Sequence, residues 1–64
     1  MRHTELWARL DMALGQSYSR HWAKQHAITE LGSRTVEEAL DSGEDPKVVW
    51  AAVWRVLGLP ASDR

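Results

Sequence analysis

The side chains best suited to chemistry in this 64-residue chain are three histidines, a serine and a run of carboxylates. His3, His21 and His26 are the metal-ligand candidates. His21 and His26 are five apart, which turns two side chains to different sides of a helix. The His-Glu-x-x-His spacing that puts both ligands on one face is absent. The chain has no cysteine, so a thiolate zinc site is excluded as well. No metal is expected; helix capping, exposure or a place beside Trp22 accounts for the histidines. Ser17 and His21 are i,i+4 and within reach of each other on a helix, as a nucleophile and its base would be. No carboxylate stands where it would orient His21, and no Gly-rich turn follows Ser17 to supply oxyanion donors. Glu37, Glu38, Asp41, Glu44 and Asp45 read as caps and solvated faces rather than as an acid–base pair. No catalytic residue, cofactor or small-molecule substrate is expected. An enzyme is disfavoured in a chain too small for a sheltered pocket.

Nucleic-acid binding has one candidate. Ile28 to Val36 can be written as helix, glycine-containing turn, helix, and such a motif sends its second helix into the major groove. Here that helix carries Glu37, Glu38 and Asp41, charges that phosphates repel. Arg9, Arg20, Lys24 and Arg34 allow only a separate, weak patch. The net charge is −1. Residues 1–34 are mildly basic and residues 35–64 acidic, which suits either weak attraction between helix faces or a bipolar surface for a partner.

The elements that must position these groups are helices. Thr4 is a good cap for a first helix, with Glu5 near its positive end and Leu6, Trp7, Leu10 and Leu14 on its buried face. Gly15 marks its end. A second helix is expected from Gln16 or Ser17 to Leu31, stopped by Gly32. It is apolar on several sides, as the central member of a bundle is. Thr35 and Glu38 have capping-box spacing and open a short third helix that ends near Asp41. The last helix is the best punctuated. Asp45 caps it, Pro46 takes its first position, and Gly58 closes it in the left-handed conformation so that Leu59 folds back onto Trp54. Pro60 forbids continuation, and residues 61–64 are expected to fray. No strand pattern competes. The expected fold is all-α, a compact bundle of three main helices plus one short helix, and one domain over residues 1–64. The expected core is Leu6, Trp7, Leu10, Leu14, Tyr18, Trp22, Ala27, Leu31, Val36, Leu40, Val49, Trp50, Val53 and Leu57.

A chain of this length buries only roughly 60% of its extended surface, so a small core must be dense. Trp7, Trp22, Trp50 and Trp54 are the means. No apolar run reaches the roughly 20 residues that span a bilayer, and residues 1–5 lack the apolar centre of a secretory signal. A cytoplasmic protein is expected.

Several blocks of residues together resemble a known family: Met1-Arg2, Thr4-Glu5 and Trp7; Trp22-Ala23 and His26; Glu30-Leu31-Gly32; Arg34 to Leu40; Gly43 to Lys47; and Val49-Trp50. The family is one of very small actinobacterial proteins, classed as a domain of unknown function. The likeness covers nearly the whole chain, with residues 34–40 the most specific block. It implies a complete small protein. It implies no activity, cofactor or catalytic residue. The resemblance implies a gene of the kind that often lies near those for the recombinase RecA and its regulator RecX. Trp54 and Gly58-Leu59 fall outside the shared pattern.

These readings leave protein interaction or regulation as the leading function, with an unidentified protein partner or self-association. The alternative is a weak nucleic-acid-binding accessory of recombination or repair. The expected partner surface lies between the second and last helices, with Ile28, Val48 and Trp54 at its apolar centre and Arg20, Lys24 and Arg55 at its rim. If Trp54 is instead covered, Leu59 and Tyr18 are the residues to cover it.

Overall fold

Four helices follow one another: α1 (His3–Leu14), α2 (Gln16–Gln25), α3 (Val36–Asp41) and α4 (Pro46–Leu57), with 3-10 turns at Thr29–Leu31 and Ala61–Asp63. This is the architecture of a computed structural model that describes residues 1–64. The protein is all-α, three main helices and one short one. Its only extended pairing is an isolated bridge between Ile28 and Arg34.

The ends of α3 and α4 are set by the local chemistry of their caps. Asp45 Oδ1 accepts the Lys47 N–H at 2.9 Å and Pro46 occupies the first turn. At the other end Gly58 has φ 64°, and the Leu59 N–H donates to the Trp54 carbonyl at 3.2 Å. That bond satisfies a carbonyl left over by the helix and turns the chain back. Before α3, the Thr35 hydroxyl accepts the Glu38 N–H and the Glu38 carboxylate accepts the Thr35 N–H, at 3.2 and 2.9 Å. The capping box is therefore complete.

The first two helices depart from expectation at their ends. α1 begins at His3, with Arg2 at its cap and no side-chain cap. Thr4 lies inside the first turn. The Leu6 N–H bonds the Arg2 carbonyl at 3.0 Å, so backbone alone starts the helix there. α2 stops at Gln25 rather than Leu31, because His26 is extended (φ −90°, ψ 109°). In a continued helix Ile28 would project about 180° from Ser19, at roughly 100° per residue. Ser19 is fully buried, so such a helix would send Ile28 into water. Breaking at His26 turns Ile28 and Leu31 inward instead, to 1% and 8% exposure. The loop satisfies its own backbone: the Ile28 N–H donates to the Arg34 carbonyl, and the Leu31 and Ser33 N–H groups donate to the Ile28 carbonyl.

The core comprises Leu6, Leu10, Trp22, Ala23, Ile28, Leu31, Val36, Ala39, Val49, Trp50, Ala52 and Val53, with Trp7, Leu14, Leu40, Trp54, Leu57 and Leu59 packed around it. Two expected core residues lie outside. Tyr18 is half exposed, and Ala27 falls in the exposed loop after α2. Small residues centre the buried side of α2 instead. Ser19 and Ala23 are fully buried, and the Ser19 hydroxyl donates to the Asp11 carboxylate of α1. Small side chains let two helices approach closely, and the charge-assisted bond satisfies the buried hydroxyl. Gly15 alone joins α1 to α2, with φ 89° and ψ 142°, a conformation that L side chains resist.

α2 packs on α1 and α3, and α4 packs on α1, α3 and the 29–31 turn. The radius of gyration is 10.5 Å, against about 11 Å for a compact chain of this length. The end of the chain contributes to that compactness. Residues 61–63 form a turn laid against α4 instead of fraying.

Candidate interaction surface

The expected chemical groups are held apart. Ser17 and His21 share no hydrogen bond; the His21 ring sits 6.0 Å from Tyr18. His26 stacks on Trp22, with ring centroids 5.0 Å apart and planes 11° from parallel. No three of the His, Asp and Glu side chains converge as metal ligands would. Of the acidic cluster, Glu38 and Asp45 are helix caps and Glu44 accepts the Asp45 N–H. A helix-turn-helix joins its helices by about 3–4 residues. Here residues 26–35 separate α2 from α3, and α3 has six residues.

The expected partner surface is divided by the fold. Ile28 belongs to the core, at 1% exposure, for the reason given above. Arg20 lies on the α1–α2 seam, its guanidinium 3.9 Å from the Trp7 ring centroid, where it covers that half-buried indole. Lys24, one turn on, is exposed on α2. On α4, Val48 and Arg55 are exposed and Trp54 is half-buried. Arg55 Nε donates to the Glu30 carboxylate at 2.6 Å. That hydrogen bond, aided by the guanidinium charge, holds Glu30 below the usual carboxylate range and raises Arg55. Trp54 is half-buried, with residues 60–64 laid against it. Its indole N–H donates to the Pro60 carbonyl at 2.9 Å, and the Arg64 guanidinium lies 5.3 Å from its ring.

The same construction repeats one turn earlier on α4. The Trp50 indole N–H donates to the Asp63 carbonyl at 3.0 Å. Across the groove Arg9 of α1 reaches the Arg64 main-chain oxygen at 3.0 Å while paired with Glu5 at 3.1 Å. Two adjoining hollows of about 420 and 450 Å³ flank this clamp and share Glu5, Arg9, Trp50 and Arg64. Sequence reasoning overlooked the clamp. Its signal was two tryptophans at i,i+4, each carrying an N–H that needs an acceptor, followed by a proline and a short polar end.

Residues 1–62 match the family described as Protein of unknown function (DUF3046). The chain belongs to that family. No curated protein and no solved structure matches it. No helix is long and apolar enough to cross a membrane.

Proposed function

We propose that this member of the family is a non-catalytic protein-interaction or regulatory module of the cytoplasm, docking through the outer side of α4. One observation carries the reading. α4 buries Val49, Trp50, Ala52 and Val53, yet its outer side presents Val48 at 48% exposure beside the half-buried Ala51 and Trp54. Trp54, Lys47, Ala51, Arg55 and Val48 follow one another around that side, at about 100° per residue. Apolar residues interleaved with Lys47 and Arg55 and edged by a tryptophan have the composition of a small interface. Cytoplasmic placement is supported by the cysteine-free composition. Resemblance to proteins encoded near RecA and RecX makes recombination proteins the first partners to seek.

The test is capture from native lysate with mass spectrometry, using wild type and Val48→Asp side by side. Val48 is half exposed, so the variant should keep its helical spectrum and melting temperature. The reading requires a protein, or a second copy of this chain, that wild type retains stoichiometrically and the folded variant loses. Identical captures by both would refute it. Duplex DNA should bind no tighter than about 10 μM at physiological salt, because no helix combines groove-sized length with basic charge. Submicromolar affinity with a steep salt slope would make nucleic acid the partner.

A further inference from the structure

The hollow of about 450 Å³ is walled on α4 by Lys47, Ala51, Trp54 and Arg55, and from across it by Arg9 and Arg64. Its α4 wall is therefore the outer side of that helix. Four of these six side chains are cations. Two of them are neutralised within the chain: Arg9 pairs with Glu5 at 3.1 Å and Arg55 with Glu30 at 2.6 Å. Lys47 and Arg64 have no ion-pair partner. The Arg64 guanidinium lies 5.3 Å from the Trp54 ring centroid, and that of Arg9 lies 5.7 Å from the Trp50 ring. A guanidinium resting on an indole loses less freedom when it then meets an anion. In a chain of net charge −1, the hollow thus joins two uncompensated positive charges to the half-buried side chains of Ala51 and Trp54.

We propose that this hollow docks an acidic segment of a partner protein, whose carboxylates meet Lys47 and Arg64 while an apolar side chain between them covers Ala51 and Trp54. The inference rests on the interaction-module reading and names the partner's chemistry. Charge complementarity selects the occupant. Glu5 and Glu30 already sit on the other two cations, so carboxylate is the counter-group that the chain itself uses there. Single-stranded nucleic acid fits less well, because its readers offer free aromatic faces on which bases stack. Here Trp50 is 3% exposed and the Arg64 guanidinium lies by the Trp54 ring. The exposed Asp45, two residues before Lys47, would also repel a phosphate chain that ran on past the hollow. A second copy is disfavoured by like charge. Two α4 helices laid antiparallel about Ala51 set Lys47 of each copy against Arg55 of the other, and parallel ones set Lys47 against Lys47.

The test titrates the full chain with a Glu-Asp-Leu-Asp-Glu peptide, acetylated and amidated at its ends, beside the neutral Gln-Asn-Leu-Asn-Gln. Binding is read from the Trp54 indole N–H and the Lys47 and Ala51 amide resonances. The acidic peptide should shift all three saturably, and added salt should weaken it. The double variant Lys47→Glu and Arg64→Glu turns two attractions into repulsions and should bind it at least roughly tenfold more weakly. Both residues are exposed and unpaired, so the melting temperature should hold. Replacing the peptide's leucine by serine should also weaken binding. The proposal is overturned if the acidic peptide does not bind, if the neutral peptide binds as well, if the double variant binds unchanged, or if the shifts fall elsewhere. A short oligothymidylate that binds more tightly than the peptide would make the occupant nucleic acid. A wild-type dimer that the double variant loses would make it a second copy. Either result would equally overturn the proposal. If the double variant still captures a partner that Val48→Asp loses, the acidic occupant is wrong and the interaction module stands; if neither variant alters capture, the module reading itself fails.

Discussion

Ile28→Ala tests the feature on which the middle of the fold depends. Ile28 is 1% exposed because α2 breaks at His26 and folds it inward. Removing three carbons from a sealed site leaves a cavity and costs about 2–5 kcal/mol. At an exposed position the same change would cost no more than about 0.5 kcal/mol. Unfolding entropy near 2.1 cal/mol/K per residue, taken over 64 residues, means that each kcal/mol shifts the melting temperature by about 7 °C. Ile28→Ala should therefore melt at least about 15 °C below wild type, and Ile28→Val, at roughly 0.5–1.5 kcal/mol, between about 4 and 11 °C below. Far-UV circular dichroism melts, with urea titrations to check that the denaturant slope is unchanged, give both numbers. An Ile28→Ala protein melting within about 4 °C of wild type would mean that Ile28 is solvated and α2 runs on past His26.

Trp50→Ala should cost about 3–5 kcal/mol, enough to unfold much of a chain whose total stability is of order 0.05–0.15 kcal/mol per residue; an unchanged melting temperature would remove Trp50 from the core. Ser19→Ala strips the Asp11 carboxylate of its hydroxyl donor and should cost about 1.5–3 kcal/mol, whereas combining it with Asp11→Asn should cost less than the two single changes summed. Strict additivity in that cycle would show that the pair is not coupled. Glu30→Gln addresses the ion pair with Arg55. The folded state holds Glu30 ionised below its ordinary range, chiefly by the Arg55 hydrogen bond and then by the guanidinium charge. Its contribution is therefore complete above the ordinary glutamate pKa of about 4.3 and fades as the pH falls below that. The melting-temperature gap between wild type and Glu30→Gln should be small at neutral pH and close in acid; a gap that widens in acid would contradict the pairing.

The caps were legible from sequence because they act over three or four residues. Asp45-Pro46, Gly58-Leu59 and Thr35 with Glu38 specify their turns by local hydrogen bonding, and the structure places each as expected. The apolar spacing of α4 likewise announced Val49, Trp50 and Val53, since one face of one helix needs no knowledge of its neighbours. Family membership was legible too, in blocks spread along nearly the whole chain.

Tertiary structure decided what depends on two distant segments at once. Helical signals run on through Ile28, and only the competition between six more residues of helix and the burial of Ile28 and Leu31 ends α2 at Gln25. The choice of Ser19 over Tyr18 for the inner side of α2 required the Asp11 carboxylate on α1, eight residues earlier, to receive the hydroxyl. The expected partner surface came apart for the same reason: Arg20, Ile28 and Trp54 belong to three different seams, which no single helical projection relates. The clamp over Trp50 and Trp54 was equally invisible, because a short polar end looks disordered until acceptors on it meet two indoles and an arginine contributed by other elements. Local backbone chemistry set where most helices begin and end, and long-range burial and hydrogen-bond satisfaction set which faces they show to a partner.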